Sequence, residues 1–194
     1  MHSKFNHKLI GLVLLSFLAA SAYAGGGIEW TNINDGLPND ISISALTVDP
    51  GNSNIIYGAG SGGVYKTTDK GDNWTDITNG LAISSTDQVN KEGGGVALAV
   101  DSNNIYLGCC GRIFKGAKDG SNWVDITGTM TIAPWTTLSI VAQSGSIYVG
   151  NGDYDNSGGV YKSTDNGASW VKIKNLQNCT VITGTTTGNL YAFS

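Results

Sequence analysis

The feature that most constrains the fold of this chain is an internal repeat of roughly 45 residues. Three signatures recur along the chain in the same order: an Ile/Leu-Tyr pair, an aliphatic-aromatic-Lys triplet and a Trp-x-x-Ile segment. The pairs start at positions 56, 105, 147 and 190, the triplets at 64, 113 and 160, and the Trp-x-x-Ile segments at 30, 74, 123 and 170. Three independent patterns that share one order and one period indicate a repeat protein.

Each unit is predicted to hold four short strands, which we name A to D. They fall near 43–48, 55–59, 63–67 and 74–77 in the first unit, 95–100, 105–109, 112–115 and 123–126 in the second, and 138–142, 147–150, 159–163 and 170–173 in the third. The fourth unit holds only 179–183 and 189–193. No segment beyond the N-terminus sustains a 3.6-residue period, so the sequence predicts an all-β fold. Four-strand units of this length are typical of β-propeller blades.

The N-terminus predicts export. Residues 1–24 combine a basic start, an apolar run at 9–18 and the small-x-small sequence Ala22-Tyr23-Ala24, which together indicate a signal peptide. A retained anchor is the alternative, although the run is short for a membrane span. We therefore expect a secreted or periplasmic protein, with no membrane span after signal removal.

The expected mature domain, residues 25–194, is an incomplete propeller of about three and a half blades. It comprises an N-terminal strand D at 30–33, blade 1 at 41–78, blade 2 at 94–127, blade 3 at 136–174 and half of blade 4 at 178–194. The N-terminal strand D would complete the last blade, which still lacks strand C. A strained four-bladed ring, an open arc, a homodimeric ring and a part of a longer parent chain all remain open.

The turns between strands C and D carry a further motif. It is complete in the first and third units and lacks one residue in the second: Thr67, Asp69, Gly71 and Trp74; Asp119, Gly120 and Trp123; Ser163, Asp165, Gly167 and Trp170. These segments resemble the Asp-box, or BNR repeat. The chain thus resembles Asp-box propellers: sortilin-type receptors, xyloglucanase-type glycosidases, sialidases and photosystem II assembly factors. That resemblance implies a fold more specifically than a function.

The residues of this motif are predicted to be structural rather than catalytic. The Asp carboxylate can accept backbone N–H groups of its own turn. The Gly can adopt the positive φ that the turn requires, and the Trp can bury its ring against the neighbouring hairpin.

A binding site is expected on the face that carries the D–A and B–C connections, because the irregular sequence collects there. The candidate binding residues are Asp87, Lys91, Glu92, Trp135 and Tyr154. Trp135 could be a stacking platform or the first buried residue of a strand.

Asp153, Asp155 and Ser157 have the spacing that opens a calcium loop, although Thr164 stands where a bidentate acid is expected. An ordinary solvated polar loop is the alternative, and no other cofactor is indicated.

Composition excludes several function classes. The net charge is −4 and Arg112 is the one arginine, which argues against a nucleic-acid partner. The resemblance to sialidases would require a cluster of arginines, so that activity is excluded as well.

The cysteines are interpreted mainly as small buried residues. They are Cys109, Cys110 and Cys179, and a disulfide from Cys109 or Cys110 to Cys179 is the alternative.

The remaining choice lies between a binding module and a glycosidase. A xyloglucanase-type enzyme needs two facing carboxylates, but the first-unit segment Gly60-Ser61-Gly62-Gly63 has no acid, and no acid can be placed opposite Asp153 and Asp155. The prediction is therefore a non-catalytic module that binds a protein or a glycan. A fragment of a xyloglucanase-like glycoside hydrolase is the alternative.

Overall fold

A computed structural model of the chain describes residues 31–38, 41–81, 96–133, 136, 138–153, 157–177, 179, 181–184 and 188–193. Blade 1 comprises β1 (Ile43–Asp49), β2 (Asn52–Gly60), β3 (Gly63–Thr67) and β4 (Thr75–Asp76). Blade 2 comprises β5 (Ala97–Val100), β6 (Asn104–Cys109), β7 (Arg112–Ala117) and β8 (Val124–Asp125). Blade 3 comprises β9 (Leu138–Gln143), β10 (Ser146–Asn151), β11 (Gly159–Ser163) and β12 (Val171–Lys174), and a half blade comprises β13 (Val181–Gly184) and β14 (Leu190–Phe193).

The all-β prediction is confirmed. Each full blade is an antiparallel sheet whose spatial order equals its sequence order, and the half blade is a hairpin. The first strands of successive blades contact one another, β1 with β5, β5 with β9 and β9 with β13. The blades therefore follow one another around an arc. None of the described residues form a helix that is long and apolar enough to cross a membrane.

Two of the repeat signatures meet on adjacent strands. The tyrosine of each Ile-Tyr pair lies opposite the lysine of the triplet, as Tyr57 with Lys66, Tyr106 with Lys115 and Tyr148 with Lys162. The Nζ atoms of Lys66 and Lys162 lie 5.7 and 5.5 Å from the ring centroids of their tyrosines. This cross-strand pairing explains why both signatures recur with the same spacing.

The hydrophobic core lies between blades rather than within them. One cluster joins Ile77 and Tyr57 of blade 1 to Leu107 and Phe114 of blade 2, with Trp123 packed against it. A second joins blade 2 to blade 3, with Trp170 packed against it. A smaller third cluster joins Val160 of blade 3 to Cys179 and Ile182. Each blade thus depends on its neighbours for burial of its apolar faces.

The turns between the third and fourth strands of the blades, which we name the C–D turns, span 67–74, 117–123 and 163–170. Each of them makes a hydrogen bond to the preceding repeat unit. Trp74 Nε1 donates to the carbonyl of Ile33 at 2.6 Å, Trp123 Nε1 to that of Ile77 at 3.1 Å, and Trp170 Nε1 to that of Ile126 at 2.7 Å. The glycine of each turn also packs directly against the same isoleucine: Gly71 on Ile33, Gly120 on Ile77 and Gly167 on Ile126. We call this arrangement of indole, glycine and isoleucine the backward lock.

Two lysines also join neighbouring blades, and each reaches from its own blade to the C–D turn of the following one. Lys66 Nζ donates to the carbonyl of Lys118 at 3.0 Å, and Lys115 Nζ donates to that of Asn166 at 3.4 Å. Between blades 1 and 2, Lys118 Nζ also pairs with the buried Asp49 carboxylate at 2.8 Å. Burial raises the pKa of Asp49, but the Lys118 ammonium and a hydrogen bond from the Gly51 amide outweigh it, so the pKa is lowered overall.

The three cysteines form no disulfide. Cys109 and Cys179 are buried, as predicted, and burial raises the pKa of the Cys179 thiol. Cys110 is half-buried, so the prediction of a buried residue is wrong for this cysteine; it lies in the turn after β6 with a φ of 55°. A left-handed residue followed by Gly111 turns the chain directly into β7.

Candidate functional site

The face predicted to bind a ligand carries a polar cluster between blades 2 and 3. The cluster joins the connection from β8 to β9 with the loop between β10 and β11. Its members are Thr131, Ala133, Thr136, Asn151, Asp153 and Ser157. Five of the predicted binding residues and one predicted metal ligand lie outside the described residues: Asp87, Lys91, Glu92, Trp135, Tyr154 and Asp155.

Asp153 is the centre of this cluster. Its Oδ1 accepts a hydrogen bond from Thr136 Oγ1 at 2.6 Å. Its Oδ2 accepts from Ser157 Oγ at 2.8 Å and from the Ala133 amide at 3.3 Å. One carboxylate therefore joins two loops that are separate in sequence, and hydrogen bonds to a charged acceptor are among the stronger ones in proteins.

Asn151 supports the same two loops from beneath. Its side chain is fully buried, and Nδ2 donates to the carbonyls of Thr131 at 3.1 Å and Ser157 at 3.2 Å. Its Oδ1 accepts the Asp153 amide at 3.3 Å. The Ser157 carbonyl also accepts the Tyr161 hydroxyl at 2.6 Å. Since every polar atom of a buried amide needs a partner, this network fixes the backbone at Thr131, Asp153 and Ser157.

The arrangement is suited to holding a rigid surface. Two of the predicted calcium ligands, Asp153 and Ser157, are hydrogen-bonded to each other. Both carboxylate oxygens of Asp153 already accept hydrogen bonds from protein groups. Within the described part of the chain, His, Cys, Asp and Glu form no group of three that could hold a metal ion. Because Asp155 lies outside that part, calcium binding stays a prediction.

The C–D turns lie on the opposite face, and their carboxylates are engaged locally. Asp69 accepts hydrogen bonds from the Thr67 hydroxyl, the Asn73 side chain and the Asn73 amide, which lower its pKa to about 2. Asp165 has a pKa of about 2 because of equivalent bonds from Ser169 and Ser163. The glycines adopt positive φ, 104° at Gly71, 84° at Gly120 and 89° at Gly167.

The second C–D turn compensates for its missing residue. In the first and third turns a hydroxyl accepts the glycine amide, Thr67 Oγ1 from Gly71 at 2.9 Å and Ser163 Oγ from Gly167 at 2.8 Å. In the second turn the Gly120 amide donates instead to the Ala117 carbonyl at 2.9 Å. Asp119 keeps a lowered pKa through hydrogen bonds from Ser121. The backward lock therefore survives a one-residue deletion.

These pKa values predict an acid-sensitive fold. A carboxyl whose pKa falls from 3.8 in the free residue to about 2 in the folded chain stabilises the fold fully above pH about 4. That stabilisation is lost as the pH falls from about 4 to about 2. Urea midpoints measured between pH 5 and 2 should decline in this window. The double variant Asp69→Asn/Asp165→Asn, which cannot titrate there, should show a shallower decline, and an unchanged profile would contradict this prediction.

The polar cluster contains residues that the sequence did not single out. Asn151 stands where the repeats place Gly60 in blade 1 and Cys109 in blade 2, at the last position of the second strand. This departure from the repeat is the feature of the sequence that could have identified Asn151 as a residue of the cluster. Thr136 offered no such signal, because its role depends on the spatial approach of two loops 17 residues apart.

Comparisons with known proteins define the fold. No protein-family model and no curated protein matches the sequence. A GH74 enzyme of Niastella koreensis matches with a TM-score of 0.63 at 24% identity, covering 77% of this chain and 25% of that one. YCF48 of Cyanidioschyzon merolae matches with a TM-score of 0.58 at 15% identity over 80% of this chain and 51% of that one.

A structure of a nidogen/laminin complex also matches, with a TM-score of 0.58 at 18% identity, over 76% of this chain and 54% of that one. The chain therefore spans between about a quarter and about half of the length of these proteins. Identities below 25% bear on architecture alone. The similar structures are β-propellers, and the fold of this chain is a partial β-propeller of four-stranded blades and one half blade.

Proposed function

We propose that the protein is an exported, non-catalytic binding module that recognises a protein or a glycan with the face carrying the D–A and B–C connections. The observation that carries this proposal is the cluster around Asp153. It uses a carboxylate and a buried amide to hold two irregular loops in one arrangement. A preorganised loop surface reduces the entropy lost on binding.

The chemistry of the acids supports binding over catalysis. A glycoside hydrolase needs one carboxylate free to protonate the leaving group and a second facing it. Asp153 accepts three hydrogen bonds from the protein. Asp69 and Asp165 are engaged in their own turns on the other face.

The similar structures include both kinds of protein. The Niastella koreensis protein is a GH74 enzyme, whereas YCF48 has been solved bound to a D1 peptide and nidogen in complex with laminin. Architecture alone therefore does not choose between the two functions. The hydrogen bonds of Asp153 support the proposal that this chain is a binding module.

The role of Asp153 predicts a specific loss of stability. Asp153→Asn replaces one accepting oxygen with an NH₂ group that cannot accept from Ser157 or Ala133. We expect the free energy of unfolding to fall by about 2 kcal/mol, with faster hydrogen exchange at the Ala133 amide. Thr136→Val, which replaces the donor hydroxyl with a methyl group of similar size, should lower the free energy of unfolding by about 1 kcal/mol. Equal stability of the wild type and Asp153→Asn in urea titrations would show that the carboxylate does not hold the loops.

Function is tested by screening the full chain against a glycan array and a random-peptide display library. Each ligand found is then titrated against wild type, Asp153→Asn and the opposite-face control Asp165→Asn. The proposal predicts at least a tenfold loss of affinity in Asp153→Asn and little change in Asp165→Asn.

The same proteins are assayed for release of reducing sugars from xyloglucan. No release by wild type is expected. Hydrolysis that disappears in Asp153→Asn would overturn the proposal and support the alternative, a fragment of a xyloglucanase-like glycoside hydrolase. A ligand whose affinity is unaffected by Asp153→Asn but reduced by Asp165→Asn would contradict the proposal, because the binding site would then lie on the face of the C–D turns.

A further inference from the structure

Three Asn-Gly pairs occur in the chain, and the fold gives them different environments. They are Asn79-Gly80, Asn151-Gly152 and Asn166-Gly167. Such a pair is prone to spontaneous deamidation, in which the backbone nitrogen of the glycine attacks the side-chain amide of the asparagine. Glycine favours the attack because it has no Cβ to hinder the approach. The reaction further needs a glycine N–H without a hydrogen-bond partner and an asparagine side chain that is free to turn.

Two of the pairs are held by hydrogen bonds. The Gly167 amide donates to Ser163 Oγ at 2.8 Å inside the third C–D turn, and this bond is buried. The Asn151 side chain is fully buried within the polar cluster, where Nδ2 donates to two carbonyls and Oδ1 accepts an amide. Each of these pairs would have to open locally before its asparagine could react.

The pair Asn79-Gly80 is open to solvent. The two residues are exposed and form the centre of a β-turn, which is closed by a hydrogen bond from the Leu81 amide to the Thr78 carbonyl at 3.0 Å. Between described residues, no hydrogen bond involves the Gly80 amide or the Asn79 side chain. Beyond the chain neighbours, no described atom lies within 4 Å of a Cβ built at Gly80. Nothing in the described part of the chain therefore obstructs ring closure at this turn.

We propose that Asn79 is a site of spontaneous deamidation in the folded protein, whereas the fold protects Asn151 and Asn166. The Gly80 nitrogen loses its proton to solvent and bonds to Cγ of Asn79. The Cγ–Nδ2 bond then breaks, and ammonia leaves with a proton taken from solvent. Water opens the resulting five-membered succinimide at either carbonyl, which yields aspartate or isoaspartate. The sum is an amide and a water converted into a carboxylate and an ammonium ion, with no oxidant or reductant.

The products change the connection between β4 and β5. Both add a negative charge to an exposed turn at the start of this D–A connection. Isoaspartate also lengthens the backbone by a methylene group between Thr78 and Leu81. Leu81 is buried in the cluster between blades 1 and 2, so the longer turn weakens the anchor of the connection. This modification requires no ligand and is independent of the proposed function.

The test follows all three pairs in one sample. The full chain is incubated in mildly alkaline buffer, and aliquots are digested and mapped by mass spectrometry for the mass gain of amide-to-acid exchange. We expect Asn79 to deamidate about tenfold faster than Asn151 and Asn166, because a buried hydrogen bond must open at those two sites. In urea, where the fold is lost, the three rates should approach one another.

Two variants test the structural cause. Ser163→Ala removes the acceptor of the Gly167 amide and should accelerate deamidation at Asn166, with no change at Asn79. Gly80→Ala places a methyl group beside the attacking nitrogen and should slow the reaction at Asn79 alone. Circular dichroism checks that each variant is folded.

Three results would overturn the proposal. Comparable rates at the three asparagines in the folded chain would mean that the dipeptide sequence alone sets their reactivity. An Asn79 that stays intact in the folded chain but deamidates in urea would mean that its turn is protected. A rate at Asn79 that is unchanged in Gly80→Ala would exclude attack by the Gly80 nitrogen.

Discussion

Gly120→Ala is expected to lower the free energy of unfolding by about 3 kcal/mol, as measured by urea denaturation. Gly120 has a φ of 84°, where an L-residue is strained by about 1 kcal/mol. An added methyl would also overlap the side chain of Ile77 and lie 2.7 Å from its carbonyl oxygen. Forcing these atoms apart adds about 2 kcal/mol, because it opens the backward lock between blades 1 and 2.

Gly80→Ala is the matched control, since Gly80 has the same φ of 84° and, among the described residues beyond its chain neighbours, no atom lies within 4 Å of a Cβ built at this position. It should cost only the conformational strain, about 1 kcal/mol. Equal losses in the two variants would mean that the close approach of Gly120 to Ile77 contributes nothing.

Trp123→Ala should lower the free energy of unfolding by about 3 kcal/mol, at the lower end of the range for large aromatic deletions because the ring is only half-buried. The ring packs against the cluster between blades 1 and 2, covers Gly116 and donates to the Ile77 carbonyl. Its removal exposes Ile77 in the way that Ile173 is already exposed.

Trp123→Phe separates packing from hydrogen bonding. Phenylalanine keeps most of the apolar contact and removes the 3.1 Å bond from Nε1, so the loss should be about 1 kcal/mol. A loss as large as that of Trp123→Ala would assign the whole effect to the hydrogen bond, contrary to the packing argument.

The fold was predictable because its determinants are local and repeated. The spacing of the Ile-Tyr pairs, the aromatic-Lys triplets and the tryptophans located strands that the structure contains. The self-contained bonds of Asp69 were also accessible, because Thr67 and Asn73 lie within four residues of it. Cys110 was predicted to be buried but is half-buried in a turn, because a left-handed turn position is not evident from the sequence when the residue is not glycine.

The candidate site was predictable only as a region. The sequence placed Asp153 and Ser157 in an irregular loop on one face, but it gave no sign that the two side chains hydrogen-bond to each other. The bonds from Thr136 and Asn151 depend on how two blades approach, and no spacing along the chain encodes that approach. The same holds for Asp49 and Lys118, which are paired across blades 1 and 2.

The direction of the backward lock has a consequence for the order in which the chain folds. Each indole N–H bond joins a tryptophan to a carbonyl 41, 46 or 44 residues earlier in the sequence. A chain that emerges from a ribosome or a translocon N-terminus first always presents the carbonyl before the tryptophan that will reach it. Each of these three locks can therefore form as soon as its own C–D turn emerges, without waiting for any later segment.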